Sequence, residues 1–171
     1  MDRKKLIDCI SKVAYLEGDF TLRSGRKSSY LIDKYEFETR PALLSEIARF
    51  LADMIPAGTD RLAGVELGGV PLVVAVALRC DIPYVIVRKE AKDHGLDRPF
   101  EGEMKEGEKI ALIEDVTTTG GAAVEAAENL LNAGARSVVV LAVVDRLEGA
   151  GENFAEAGIE FRSLFTSKEL A

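Results

Sequence analysis

The sequence predicts an α/β fold in which a central, mostly parallel sheet carries helices on both faces. Several short runs rich in Val, Ile and Leu are apolar at almost every position, which is typical of strands buried on both faces of a parallel sheet. These runs alternate with segments of helical periodicity, as in successive β-α-β units. With 171 residues, 47% of them hydrophobic, the chain suits a single globular domain with a substantial core.

The first third of the chain departs from this alternation. Apolar residues from Leu6 to Ala14 recur at helical spacing and predict a helix that ends before Gly18. Residues 20–32 indicate two short strands joined by a Ser-Gly turn, with three cations at the tip. A second amphipathic helix begins near Pro41, a favourable first-turn residue, and ends at Pro56.

The rest of the chain follows the alternating pattern. The predicted elements are strand 62–66, helix 71–79, strand 84–87, strand 109–114, helix 122–133, strand 137–145 and a last strand near 159–165. Ligands gather at the carboxyl ends of parallel strands. We therefore expect loops 66–71, 88–107, 114–121 and 146–151 to share one crevice.

Composition argues against several classes of function. The formal charge of −7 and the pI near 4.9 disfavour a protein that coats nucleic acid, which needs a basic surface. His94 is the only histidine, and Cys9 and Cys80 form no C-x-x-C pair, so a zinc site or a disulfide framework has no support. The apolar runs are far shorter than a membrane span, and no secretion signal is evident. We expect a cytoplasmic protein without nucleic-acid or membrane partners.

The run from Ile110 to Gly121 carries the strongest functional signal. An apolar strand ends in Glu114 and Asp115. Adjacent carboxylates accept hydrogen bonds from neighbouring sugar hydroxyls, and their charge stabilises a cationic sugar carbon. A solvated acidic strand end is the alternative interpretation of this pair taken alone.

The residues that follow the acidic pair favour a ligand site. Thr117, Thr118 and Thr119 offer hydroxyl groups, and Gly120 and Gly121 allow close approach of the backbone. The predicted helix beyond them adds unpaired N–H groups and the positive end of its dipole. A helix cap that serves stability alone needs only one threonine. This segment therefore predicts a socket for a phosphorylated sugar.

Two other loops are candidates for contact with an anion. Gly68 and Gly69 lie between a strand and a helix, where their amides can face a pyrophosphate, although a plain turn explains them equally well in isolation. Residues 88–107 lack clear periodicity and form a candidate lid. Its basic residues could neutralise a departing pyrophosphate, and His94 could donate a proton. A solvated charged loop is the alternative for this segment, whose basic residues are Arg88, Lys89, Lys92 and His94.

The segment from Glu114 to Gly121 resembles the phosphoribosyl-diphosphate (PRPP) signature of type I phosphoribosyltransferases. Two further segments narrow the resemblance to the orotate phosphoribosyltransferases. Residues 20–28, FTLRSGRKS, are similar to that family's orotate-side motif, and residues 88–95, RKEAKDHG, to its mobile catalytic loop. Asp145-Arg146 resembles the pair from which the family takes an arginine to hold the carboxylate of orotate, a task suited to a guanidinium fork.

The resemblance implies a type I phosphoribosyltransferase-like fold over residues 1–171, with a small N-terminal hood mainly within 1–40. It also implies Mg²⁺-dependent transfer of ribose 5-phosphate from PRPP to orotate, giving orotidine 5′-monophosphate and pyrophosphate in pyrimidine synthesis. The metal is expected to bind through PRPP, without direct side-chain ligands. A homodimer is implied as well, in which the loop Arg88–Gly107 of one subunit reaches into the site of its neighbour.

The residues implied by the resemblance fall into three groups. The catalytic residues are Lys92, His94 and Asp115. The PRPP-binding residues are Gly68, Gly69, Arg88, Lys89, Lys92, His94, Glu114, Asp115, Val116, Thr117, Thr118, Thr119, Gly120 and Gly121. The orotate-binding residues are Arg23, Thr118 and Arg146.

Two positions depart from the pattern of many bacterial members of the family. Arg23 stands where lysine is common, and Leu67-Gly68 stands where a tyrosine-lysine pair is common, so one cationic contact to PRPP is missing from that loop. Two other functions are compatible with the same socket. One is a phosphoribosyltransferase for a different base, and the other is a non-catalytic regulator that senses PRPP.

Overall fold

A computed structural model describes residues 1–21, 25–89 and 98–171 of the chain. Arg23, Lys92 and His94, three of the predicted site residues, lie outside these ranges. The elements in chain order are α1 Arg3–Ala14, β1 Tyr15–Thr21, β2 Lys27–Ile32, α2 Tyr35–Glu38, α3 Pro41–Met54, β3 Arg61–Val65, α4 Gly69–Cys80, β4 Tyr84–Val87, β5 Phe100–Glu101, β6 Lys109–Thr117, α5 Gly121–Asn132, β7 Ser137–Asp145, α6 Ala150–Glu156, β8 Glu160–Thr166 and α7 Ser167–Leu170.

Within the described residues, the main sheet has six strands in the order β5-β4-β3-β6-β7-β8. Strands β4, β3, β6, β7 and β8 are parallel, and the short edge strand β5 pairs antiparallel with β4. The predicted parallel sheet is confirmed. Strand β5 lies within the predicted loop 88–107 and was not foreseen, because two residues are too few to show a period.

Helices cover both faces of this sheet because its strands are apolar on both sides. Alternate strand residues such as Leu62 and Ile113 pack on one face with α1, α3 and α4. Their neighbours, such as Ala63 and Leu112, pack on the other face with α5 and α6. Side chains in a strand alternate between faces, so a continuous apolar run is what two cores require.

A separate two-stranded antiparallel sheet, β1-β2, forms the N-terminal hairpin. Its first strand begins at Tyr15, directly after α1 and five residues before the predicted start. The reason lies in pairing: Tyr15 lies opposite Ile32, and its ring stacks on Tyr30 with centroids 5.1 Å apart. These long-range contacts extend the strand through residues that carry no alternating pattern.

The amino end of the main sheet is closed by a buried ion pair. Arg61, at the start of β3, donates from Nε and Nη2 to the two carboxylate oxygens of Glu108 at 2.6 and 2.8 Å. Such a two-point contact fixes the spacing of β3 and β6 at this end. The opposite end of the same strands is open. In the parts of the chain that the structure describes, no helix combines the length and the apolar character needed to cross a membrane.

Candidate functional site

The candidate site lies at the carboxyl ends of β3 and β6, where the chain changes direction within the sheet. After β3 the chain crosses through α4 to β4 on one side, whereas β6 lies on the other side of β3. Two neighbouring strands whose connections run in opposite directions leave a crevice between their ends. The strand order sets the arrangement along this edge. Arg88 and Lys89 follow β4, Gly68 follows β3, the acidic pair lies near the end of β6, and Arg146 follows β7.

Glu114 and Asp115 are both buried near the end of β6. Burial, followed by the charge of Asp115, raises the pKa of Glu114 to about 8. Glu114 Oε1 also accepts a hydrogen bond from the amide of Asp115 at 3.1 Å. Near neutral pH Glu114 therefore retains its proton. The sequence suggested two equivalent carboxylates, whereas in the structure Glu114 retains its proton and Asp115 pairs with a cation.

Asp115 forms an ion pair with a residue that the sequence analysis missed. The ammonium group of Lys34, just before α2, donates a hydrogen bond to Asp115 Oδ2. Burial lowers the pKa of Lys34, but the charge and hydrogen bond of Asp115 outweigh this, and the net pKa is raised. The sequence signal was slight: a single lysine follows the apolar end of β2, outside every recognised motif.

Glu38 lies beside this ion pair and was also missed. The residue is 2% exposed, and neither of its carboxylate oxygens has a hydrogen-bond partner among the described residues. Burial, followed by the charge of Asp115, raises the pKa of Glu38 to about 8, although Lys34 opposes this shift. Two buried carboxyl groups that retain protons near neutral pH therefore lie near one ion pair.

The turn between β6 and α5 presents its backbone to the crevice. Gly120 precedes α5 with φ 79° and ψ 0°, and a Cβ there would lie 2.9 Å from the ring of Phe154, so this position requires glycine. No side chain caps the first turn of α5, and Thr118 and Thr119 are exposed. The N–H groups of that turn have no partner within the helix. No threonine is used as a cap, so the backbone N–H groups of this turn and the hydroxyl groups of Thr118 and Thr119 are open to a ligand, and anion binding here stays a prediction.

Gly68 and Gly69 both lie close to other atoms, but the neighbours of Gly68 are side chains and those of Gly69 are backbone. Each has a negative φ, so backbone conformation does not demand glycine. A Cβ on Gly68 would overlap Asp115 Oδ2 and lie 2.9 Å from Lys34 Nζ. A Cβ on Gly69 would lie 2.9 Å from the carbonyl oxygen of Ile113. Gly68 therefore faces the candidate site, whereas Gly69 allows α4 to pack against the sheet.

Arg88 and Lys89 lie at the β4 end of the same edge. Arg88 pairs with Glu101 at 2.9 Å, and the amide of Lys89 donates to Glu66 Oε1 at 2.7 Å, which ties this segment to the end of β3. Both residues line a cavity of about 300 Å³ that extends along α5 from Ala122 to Asn129. The structure thus places these two predicted residues beside the crevice, while Lys92 and His94 lie outside the described residues.

Arg146 is buried against the N-terminal hairpin. Its guanidinium group lies 4.6 Å from the centre of the Tyr30 ring, its Nη2 lies 3.5 Å from Ser28 Oγ, and its Nε lies 2.8 Å from Glu148 Oε1. Glu148 also pairs with Arg26 of the hairpin turn. The backbone amide of Arg146 donates to Thr117 O at 3.0 Å. The structure therefore joins the predicted base-binding arginine to both the hairpin and β6.

Oxygen donors dominate the crevice, and a metal site made by side chains alone is not seen. Among residues 1–21, 25–89 and 98–171, no three potential ligands of the His, Cys, Asp or Glu type come together. A second cavity of about 450 Å³ opens between the end of β7 and α6, lined by Asp145, Leu147 and Gly149 among others.

Comparison with known proteins identifies relatives of this chain. A sequence family described as "Phosphoribosyl transferase domain" matches residues 35–157. A protein named orotate phosphoribosyltransferase from Natronomonas pharaonis is 46% identical over 171 residues, covering 99% of this chain and 98% of that protein.

Solved structures agree with the sequence match. A crystal structure of Mycobacterium tuberculosis orotate phosphoribosyltransferase with Fe(III) dicitrate superposes with a TM-score of 0.86 at 30% identity, covering 100% of this chain and 99% of that chain. A structure of the same enzyme in complex with PRPP has a TM-score of 0.81 at 26% identity, with 99% of both chains covered.

Proposed function

The chain belongs to the phosphoribosyltransferase family, among the orotate phosphoribosyltransferases, and from this premise we propose the reaction that it catalyses. Ribose 5-phosphate passes from PRPP to orotate, giving orotidine 5′-monophosphate and pyrophosphate, a step of pyrimidine synthesis. The observation that carries this proposal is the single crevice in which Asp115, the turn before α5 and Gly68 meet.

The turn from Thr117 to Gly121 binds the 5′-phosphate. Exposed hydroxyl groups and the N–H groups at the start of α5 suit an anion, and no lysine is needed there. Asp115 accepts hydrogen bonds from the ribose hydroxyls, while Glu114, which retains its proton near neutral pH, contributes little charge. Gly68, Gly69 and Val116 place backbone groups around the sugar and its diphosphate.

Transfer follows a dissociative course. The bond from C1′ to the diphosphate oxygen lengthens before the bond from C1′ to the orotate nitrogen forms, so C1′ acquires oxocarbenium character. The orotate nitrogen releases its proton to solvent as its bond to C1′ forms. The negative charge of Asp115 stabilises that carbon. Arg88, Lys89 and Lys92 neutralise the diphosphate, and His94 donates a proton to it as it leaves. The roles of Lys92 and His94 rest on the sequence.

We assign a requirement for Mg²⁺ to the same reaction. The ion prefers hard oxygen ligands and commonly binds substrate phosphates with few protein ligands. The donor set fits, because carboxyl and hydroxyl oxygens surround the crevice. The diphosphate and ribose oxygens of PRPP would hold the ion, and Asp115 would hold the ribose. When bound, Mg²⁺ supplies charge neutralisation to the leaving diphosphate.

Orotate lies between the β6 end and the hairpin. Arg146 offers its guanidinium group to the carboxylate, and Tyr30 and Ser28 hold that group in place. Thr118 and Arg23 complete the contacts to the base. Glu148 shares the Arg146 guanidinium group, so orotate binding involves an adjustment of the Arg26–Glu148–Arg146 contacts.

We further propose a cytoplasmic homodimer in which residues 88–107 of one subunit act in the site of the other. The family resemblance supports this arrangement. The two free cysteines, Cys9 and Cys80, suit a reducing compartment.

The decisive experiment follows the loss of orotate absorbance in the presence of PRPP and Mg²⁺. Parallel reactions contain other pyrimidine and purine bases, and one omits PRPP. We expect orotate consumption only when PRPP and Mg²⁺ are both present. Consumption of a different base in preference to orotate would reassign the acceptor, and binding of PRPP without any transfer would favour a sensing role.

A further inference from the structure

Lys34 contacts the candidate site from an element that no motif includes. It directly precedes α2, and its ammonium group reaches Asp115 at the end of β6. The Asp115 side chain is 3% exposed, whereas the Lys34 side chain is 29% exposed. One end of this ion pair is therefore enclosed, and the other is open to the crevice.

Gly68 creates the space that the ammonium group occupies. Its backbone has φ −68° and ψ −30°, values that any residue adopts, so a side chain is excluded only by contact. The contacts that exclude it are those with Asp115 Oδ2 and Lys34 Nζ. The loop after β3 thus lacks a cation of its own, and Lys34 brings one to the same place.

The position of Lys34 in the crevice matches one part of the substrate. The 5′-phosphate is assigned to the turn after β6, and Asp115 holds the ribose between the two loops. The side of Asp115 that faces Gly68 is then left for the diphosphate. An ammonium group has three donors. Within residues 1–21, 25–89 and 98–171 the Lys34 ammonium group donates to Asp115 alone, which leaves two donors for a second anion.

Resting on the proposed function, we propose that Lys34 binds the diphosphate of PRPP while it holds Asp115 in place. The neighbouring acids do not oppose an incoming anion strongly, because Glu38 and Glu114 retain protons near neutral pH. Lys34 therefore has two roles. It orients the carboxylate that stabilises C1′, and its charge stabilises the diphosphate as this group leaves.

The test separates the two halves of the substrate. Lys34→Ala and Lys34→Gln are compared with wild type and with Lys12→Ala, an exposed lysine on α1. Inorganic pyrophosphate and ribose 5-phosphate are each measured as ligands by calorimetry with Mg²⁺ present. We expect pyrophosphate to bind about 10- to 100-fold more weakly to both Lys34 variants, the effect of one charged hydrogen bond. Ribose 5-phosphate affinity should change much less, and Lys12→Ala should match wild type.

Two outcomes would overturn the proposal. Unchanged pyrophosphate affinity would remove the contact, and a loss confined to ribose 5-phosphate would leave Lys34 with a purely structural role toward Asp115. The glutamine variant preserves a hydrogen-bond donor to Asp115, so it gives the same comparison if the alanine variant fails to fold. Failure of the proposed function is distinguishable, since wild type would then not consume orotate, whatever the pyrophosphate affinities.

Discussion

Asp115 lies where three features of the crevice meet: the end of β6, the close approach of Gly68 and the ammonium group of Lys34. Its carboxylate is the main negative charge at that point, because burial keeps Glu114 and Glu38 protonated near neutral pH. An electrostatic role in transfer requires this charge, since preorganised groups act on charge that develops in the transition state.

Asp115→Asn removes the charge and preserves the shape. We predict a fall in kcat/KM equivalent to about 2–4 kcal/mol, the usual effect of losing one preorganised electrostatic contact. Steady-state rates of orotate consumption measure it. Asp53→Asn, an exposed position near the end of α3, is the matched control and should retain wild-type kcat/KM. An Asp115→Asn enzyme with unchanged kcat/KM would contradict the role.

Glu38 makes the stability of the folded protein depend on pH. An unfolded chain releases this proton near the ordinary pKa of 4.5, whereas the folded protein holds it up to a pKa of about 8. The group's contribution to stability is thus fully present below pH 4.5 and is lost as pH rises through about 8.

Glu38→Gln lacks this dependence. We predict that the free energy of unfolding of Glu38→Gln, relative to that of wild type, increases as the pH is raised from 4.5 to about 8. The increase is at most about 1.4 kcal/mol per pH unit. Urea unfolding of both proteins across this window provides the measurement, and the difference below pH 4.5 is the internal reference. A difference that stays constant with pH would show that burial does not hold the proton.

Arg146 provides the residue-scale test of the acceptor. Arg146→Ala should raise the KM for orotate about 10-fold or more, since a charged hydrogen bond to the carboxylate is lost. The KM for PRPP should change little. Arg162→Ala, on β8 and paired with Glu160, is the control. If Arg146→Ala lowered kcat/KM equally for all bases, Arg146 would not bind the carboxylate that distinguishes orotate.

Short elements at the strand ends set the distances within the site. The start of α4 shows this, because Gly68 and Gly69 are adjacent but face different neighbours. Helix α4 approaches β3 closely enough that a Cβ on Gly64 would lie 2.6 Å from Val73 Cγ1. Protein interiors are close-packed, so even one added methyl group has a cost there.

Gly69→Ala therefore tests how α4 is held. The added methyl would meet the carbonyl oxygen of Ile113, a backbone atom that cannot turn aside. We predict a destabilisation of about 1–3 kcal/mol, measured as a lower midpoint in urea. Gly151→Ala on α6, where an added Cβ meets nothing within 4 Å, should be neutral or slightly stabilising. Equal behaviour of the two variants would refute the packing argument.

The two ends of the main sheet differ in how well their buried polar groups are satisfied. At the amino end, Arg61 and Glu108 satisfy each other. Among the described residues, both carboxyl oxygens of Glu38 and the Nε atom of Arg88 are buried without a hydrogen-bond partner, and both side chains lie near the opposite end. Buried polar groups are usually satisfied, so these atoms point to the edge where a ligand is proposed to bind.

Assembly of two chains is the prediction at this scale. Asp115→Asn and Lys92→Ala are each inactivating in the proposed mechanism. If residues 88–107 act in the partner's site, exchange of subunits between the two variants creates one intact site per mixed dimer, and about a quarter of wild-type activity should return. Activity measured before exchange is the control. No recovery after verified exchange would place the loop in its own subunit's site.

Much of the fold and part of the site followed from the sequence. Strands β4 and β7 have the predicted bounds, because their apolar runs are long or sharply bounded. Helix α2 and strand β5 were not foreseen, since four and two residues leave no period to detect. The turn after β6 was recognisable because its chemistry is contiguous, whereas Lys34 and Glu38 reach the site from a separate part of the chain.

The amino-acid sequence by itself determined the βα alternation, the acidic pair and the threonine-glycine turn, because each depends on residues that are neighbours in the chain. Only the tertiary structure decided which acids keep their protons and which lysine faces Asp115. Those properties depend on burial and on distances between residues remote in sequence, such as Lys34 and Asp115. Charge state and contact are thus set when the strands and the hairpin pack together, since desolvation acts on the folded molecule.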